Sequence, residues 1–169
     1  MIQDEVAQAY LITQVQTHLK TAVPAIRFID EDTGQLEDYT GRPSVSWPCA
    51  LLSTEIVGAD DIGGGEQMME ADLIVRIALP PYSLATQWYD AGTKEKALKI
   101  YGIENEVYKA LHGFEPEKLN SLSFRGSINE KREDPIRVRV MRFVTGWNEQ
   151  TAKIATTTIP KPPMEWNEG

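Results

Sequence analysis

Cysteine, histidine and basic charge are all scarce in this chain, and each scarcity removes a class of protein. Of 169 residues one is cysteine and two are histidine. A lone Cys49 makes no internal disulfide, and its apolar neighbours Trp47 and Ala50 to Leu52 mark it as a small core residue rather than a reactive thiol. A zinc or iron centre needs clustered His and Cys, whereas His18, His112 and Cys49 fall on three separate predicted elements. No apolar run approaches the eighteen or so residues of a membrane span, and the chain opens on Asp4 and Glu5 rather than a basic leader. We therefore expect a soluble chain that is not exported. The formal charge is -8, which argues against nucleic acid or an anionic membrane as the main partner, because phosphate neutralisation needs clustered Lys and Arg.

That charge is unevenly placed. Through Asp72 there are thirteen acids against three bases, and from Leu73 onward twelve against fourteen. The plain reading is two solvated faces; the sharper one is a molecule whose complementary patches meet head to tail.

The remainder is ordinary globular material. At 41% hydrophobic and 25% charged the composition excludes disorder throughout, and a chain of this length buries roughly 70% of its unfolded surface. Leu11, Ile12, Val15, Leu19, Ala22 and Val23 recur at helical spacing, so 3–23 is read as a helix that Pro24 ends. Residues 25–29 read as a short strand, Asp32-Thr33-Gly34 as a turn and 36–39 as a returning arm, together a hairpin. Residues 47–57 are a strand, followed by a loop over 58–66 that carries Asp60, Asp61 and three glycines. Strict alternation from Met69 to Leu79 gives the best strand in the chain. An irregular connection bearing Tyr82, Trp88 and Tyr89 leads to a second helix over 93–113. Strands over 122–128 and 136–145 form an antiparallel hairpin, in which Ile136, Val138, Val140 and Val144 face one way and Arg137, Arg139, Met141 and Phe143 the other. The order predicts an α+β fold: a single antiparallel or mixed sheet with two helices packed on it, residues 1–145 forming one domain and 146–169 an extended, proline-rich C-terminal arm. The stripe Ile100, Ile103, Val107, Leu111 should pack on Ala71, Leu73, Val75, Ile77.

Motifs that carry chemistry are weak. The Gly63-Gly64-Gly65 run is followed by Glu66 and a strand, not by a helix start, so it is a hairpin loop rather than a phosphate cradle. Asp30 and Asp32 begin a calcium-loop spacing that fails at Gly34 and Gly41. Glu104 with Glu106, and Glu115 with Glu117, are read as exposed charges, and both histidines as caps near helix C-termini. Catalytic, cofactor and metal residues are thus expected to be absent. The residues singled out are interface candidates: acidic Glu37, Asp38, Asp60 and Asp61 against basic Arg137, Arg139 and Arg142 of a neighbour, with Tyr82, Trp88 and Ile159 as apolar contacts.

The segment Phe28-Ile29-Asp30 to Gly34-Gln35-Leu36, then Arg42-Pro43 and Pro48-Cys49-Ala50-Leu51, resembles prophage-encoded proteins of this size, and the element order over 3–145 resembles the tailed-phage tail terminator or tail-completion family. That resemblance implies a homo-oligomeric ring, commonly a hexamer, that caps the tail tube and joins it to the head connector, in a virion tail assembled in the bacterial host cytoplasm. It carries no catalytic residues. The alternatives are a head-closure or neck protein, and a small α+β enzyme or ligand-binding domain whose site is assembled only in space.

Overall fold

In the computed structural model, residues 6–37, 45–80 and 91–152 are described, the side chains at 93, 96 and 97 excepted. Helix α1 spans Ala7–Ala22 and buries Leu11, Val15 and Leu19, one residue per turn on a single stripe. Its last turn closes through the Val23 N–H on the Leu19 carbonyl at 2.8 Å, after which Pro24 has no N–H to continue the ladder. The chain then runs through β1 (Phe28–Glu31), β2 (Cys49–Gly63), β3 (Glu66–Leu79), α2 (Ala91–Leu111), β4 (Ser123–Asn129) and β5 (Arg137–Glu149).

These strands make one five-stranded sheet in the order β1-β2-β3-β5-β4. Only β1 and β2 are parallel; every other pair is antiparallel, so the sheet is mixed. The α+β expectation holds, with two helices on one sheet. Two local expectations do not. The strand near residue 28 does not return as a hairpin: residues 35–37 form a turn, 38–44 lie outside the described residues, and the partner of β1 is β2 in parallel register. The stretch after Val57 is not a loop either. β2 and β3 stay paired out to Gly63 and Glu66, and the connection is the two-residue turn Gly64-Gly65 with φ of 67° and 81°. Positive φ at both central positions is the requirement of the tight hairpin turn that matches strand twist, and glycine meets it without strain. The acidic side chains that suggested a loop sit at ladder positions instead, Asp60 opposite Met68 and Asp61 opposite Gln67.

Alternation along β3 divides the interior into two layers. Ala71, Leu73, Val75 and Ile77 face the helices and join Ile100, Ile103, Val107 and Leu111 of α2, Leu11, Val15 and Leu19 of α1, and Met141 and Phe143 of β5 in the larger core. Among the described residues the opposite face is covered at one end only. There the segments flanking β2 bring Leu36, Val45 and Trp47 over Cys49, Leu51, Ala78, Ile136 and Val138. β5 continues past Thr145 to Glu149, and Trp147 is buried in the larger core, so the sheet reaches beyond residue 145. It does so through a close pass: a Cβ at Gly146 would lie 2.7 Å from the Met69 carbonyl oxygen.

Val75→Ala or Leu111→Ala should cost about 2–4 kcal/mol, the range for cavities opened in a tight core. Gly102 lies mid-helix with nothing within 4 Å of a Cβ, so Gly102→Ala should raise stability by up to ~1 kcal/mol, while Gly146→Ala should lower it. Urea unfolding of the three classes of variant, compared with the wild type, reads the signs directly.

Candidate functional site

On the face that the helices leave bare, a cation stands where the apolar alternation of β3 is broken. Arg76, its side chain 13% exposed, donates from Nη1 to Asp32 at 2.7 Å and from Nη2 to Glu37 at 2.7 Å, and grips Glu130 through Nε at 2.9 Å and Nη2 at 2.7 Å. Arg132 extends the network to Glu130 at 2.7 Å and to Asp134 at 2.6 Å, and also donates to the Leu36 carbonyl at 2.7 Å. Two guanidiniums thereby hold four carboxylates drawn from the turn after β1 and from the β4–β5 connection. Burial alone would raise the carboxyl of Glu37, but hydrogen bonds and charge from Arg76 and Arg132 bring it below its ordinary value.

Further along the same face, Asp72 is almost wholly buried, with Arg125 at 3.6 Å and Arg142 at 3.5 Å. Arg125 also pairs with Glu70, and Arg142 with Glu55 at 3.4 Å. These outer pairs are half-exposed and each contributes little to stability.

The sequence-derived interface residues fall into five groups. Glu37 belongs to the Arg76 network, its side chain 50% exposed. Arg139 lies on the helix face, where Nε and Nη2 clamp Glu104 of α2 at 2.7 and 2.8 Å, Nη2 reaches Ser127 at 2.7 Å, and the guanidinium stacks 5.5 Å from the Tyr101 ring. Arg142 faces Asp72 and Glu55, and Arg137 opens β5 opposite Leu79. Asp60 and Asp61 are exposed near the tip of the β2–β3 hairpin. Asp38, Tyr82, Trp88 and Ile159 lie outside the described residues. Glu104 is therefore not a solvated charge but half of a bidentate pair. Burial would raise its carboxyl; Arg139 holds it below the usual carboxylate range.

Neither histidine is a simple dipole cap. His18 of α1 donates from Nε2 to the Ala110 carbonyl of α2 at 2.9 Å and stacks on Phe114 at 4.0 Å, so it satisfies a helix-end acceptor on the other helix. His112 accepts the Phe124 N–H on Nδ1 at 3.2 Å and stacks on Tyr108. Cys49 is fully buried, and burial pushes its thiol up to about 12. Among the described residues no three His, Cys, Asp or Glu side chains gather into a metal-holding group, and no helix is long and apolar enough to cross a membrane.

What remains outward is the far half of the β2–β3 hairpin. From Glu55 to Gly63 no residue of β2 is buried, and on β3 burial begins only at Ala71. Nine residues of strand span about 30 Å. Along this arm Ile56, Val57, Ile62 and Met68 are each 43–53% exposed, interleaved with Glu55, Asp60, Asp61 and Glu70. β5 pairs with β3 as far as Gln67 opposite Glu149, so the arm is three-stranded and stiffened from one side.

No family model matches the chain, and no curated protein matches it. Among solved structures, a chain of the "Virion of native gene transfer agent (GTA) particle" is similar, at 14% identity and a TM-score of 0.47, the match covering 85% of this chain and 93% of that one. Likeness at that level carries no argument about what this chain does.

Two outcomes are expected from the site chemistry. Cys49 should stay unlabelled by Ellman's reagent in the folded protein and react fully in guanidinium. Glu37 and Glu104 sit below the ordinary carboxylate value of 4.5, so their contribution is complete above about that pH and falls away as pH drops through the lowered folded values. Thermal midpoints should be flat from pH 7 to 5 and decline below 4.5. The deficit of Arg139→Gln relative to wild type should shrink on the same acid limb.

Proposed function

We propose that this chain is a structural assembly subunit that meets copies of itself head to tail, and that it works as a ring component of a phage-like virion tail in the manner of a tail terminator. The observation that carries the assembly reading is the exposed arm. An apolar-studded stretch of sheet about 30 Å long, of whose β2 and β3 residues Met69 packs against the core while Ile56, Val57, Ile62 and Met68 stand outward, is a surface suited to another protein. The charged side chains that could have built a catalytic constellation are engaged with one another, Arg76 with Asp32, Glu37 and Glu130, and Arg139 with Glu104. The tail-terminator assignment rests on the sequence resemblance alone; with it come a hexameric ring, the tail tube and the head connector as partners, and a position in the virion tail. A head-closure or neck protein would use the same surface in the same particle.

Because Arg139 is held by Glu104 inside the chain, charge reversal there would disturb the fold before it disturbed a contact. Asp60 and Asp61 are the cleaner probes. Sedimentation velocity of the wild type should show a closed oligomer, and Asp60→Lys with Asp61→Lys should weaken it, most strongly near 0.05 M salt and least near 0.5 M, since exposed charges are screened. A wild type that sediments as a monomer in both buffers at high concentration would remove self-assembly.

A further inference from the structure

The sheet has two open margins, and they are unlike. On one side β1 pairs with β2 over Cys49–Leu52 only, the last bond being the Asp32 N–H on the Leu52 carbonyl at 2.7 Å. From Ser53 to Gly63 the outer rim of β2 has no partner among the described residues. Antiparallel strands present alternate residues to either neighbour. Leu52 faces outward, so Thr54 and Ile56 also turn N–H and C=O groups to the open side. Edge strands are normally guarded by Pro, Lys or brevity. Residues 53–63 contain no Pro, Lys or Arg; Ile56, Val57 and Ile62 stand 46–53% exposed along them, and only irregular pairing at Ile56/Gly58 and Asp61/Gly63 interrupts the rim.

On the other side β4 pairs with β5 and ends the sheet; at its start the Phe124 N–H is already taken by His112, so the open stretch is Arg125–Asn129. It carries Ile128 at 63% exposure and no acid; its one base, Arg125, is already paired with Glu70 and Asp72, and Glu130 and Lys131 follow it. The open rim of β2 carries Glu55, Asp60 and Asp61 and no base. One chain thus holds an acidic rim and, at the opposite end of the same sheet, a rim free of acids. Their directions also agree. β2, β3, β5 and β4 alternate in direction, so β4 of one copy laid along β2 of the next continues the antiparallel order.

We infer that β4 of one copy hydrogen-bonds to the open rim Ser53–Gly63 of β2 in the next, making one sheet continuous from subunit to subunit. This rests on the self-assembly reading above and names its contact. A second copy is the occupant because a rim that carries no acid to repel Asp60 and Asp61, and that runs in the matching direction, is already in the chain. β1 fixes the offset. Through the ladder β4 lies level with Ala50–Glu55 of its own β2, and β1 blocks that level on the neighbour as far as Leu52. The incoming strand must therefore slide along β2 by at least three residues, and because opposed side chains share a face the shift is even: four residues, roughly 13 Å, set Ile128 opposite Glu55. The contact is heterologous, so it closes into a ring when the rotation per copy fits.

The test uses the full chain, whose buried Cys49 thiol is silent toward maleimides. Glu55→Cys and Ile128→Cys, both on the face away from the helices, are made separately and together and treated with a short bis-maleimide, with sedimentation of each untreated variant run alongside. The double variant should give a ladder of covalent species on a denaturing gel, a mixture of the two single variants should give dimers, and each single variant alone should stay monomeric on the gel while assembling in solution. In addition Thr54→Pro, which removes an outward N–H but no bond to β3, should weaken assembly at least tenfold with an unchanged circular dichroism spectrum. Oligomers in sedimentation without a 55–128 link, or cross-linked dimers from either single variant, would overturn this contact and leave self-assembly standing. An untreated wild type that never associates would overturn both.

Discussion

A five-stranded sheet has two faces, and this chain has helices for one of them. α1 and α2 cover the side of Leu73, Val75, Met141 and Phe143; the other side must be closed by short segments that bring few apolar atoms. The solution is to place a guanidinium on the central strand and let carboxylates from two distant loops converge on it. Arg76 ties the turn after β1 and the β4–β5 connection across the strands between them, and Leu36, Val45 and Trp47 then settle over Cys49 and Leu51. Attraction between desolvated charges offsets the cost of taking them from water only when every partner is present. The smaller core is accordingly only as secure as that network.

This arrangement also accounts for the acidic first half of the chain without reference to a partner. Asp32 and Glu37 are directed inward at Arg76, and Asp72 toward Arg125 and Arg142. Acids and bases that look segregated along the sequence are interleaved in space, because β3 lies between β2 and β5 and long-range pairing brings the two halves face to face. Among the described residues of that half, the acids left outward are Asp30 and Glu31 of β1 and those of the arm.

The helical stripes and the face assignment of β3 were legible because each depends on one local periodicity, 3.6 for α1 and α2 and two for Met69–Leu79. The extent of β2 was not: Gly58, Asp60, Asp61 and the glycine run are all poor strand formers taken singly, and they are held in register by β3 and β5 rather than by their own preference. The parallel partner of β1 was equally invisible, since nothing in residues 25–39 distinguishes a strand that folds back on its immediate neighbour from one that waits for Cys49. Of the site, Arg137, Arg139 and Arg142 were noticed as a basic strand, but alternation sends Arg139 to α2 and Arg142 to Asp72. The signal that could have found the central network is Arg76 itself, a charge at a face position in an otherwise apolar strand.

The position of β5 has a consequence for synthesis. β3 is complete at Leu79, yet its second neighbour begins at Arg137, so nearly sixty residues must be added before that side of β3 can be paired. At roughly 5–20 residues per second on the ribosome, β3 stays one-sided for several seconds with Leu73, Val75 and Ile77 beside bare backbone. Asp72 and Arg76, alternating with those side chains, then act as charged interruptions that keep nascent chains from stacking edge to edge; Arg76 has Asp32 and Glu37 from the start, and the set of partners is complete when Arg125, Glu130 and Arg142 arrive.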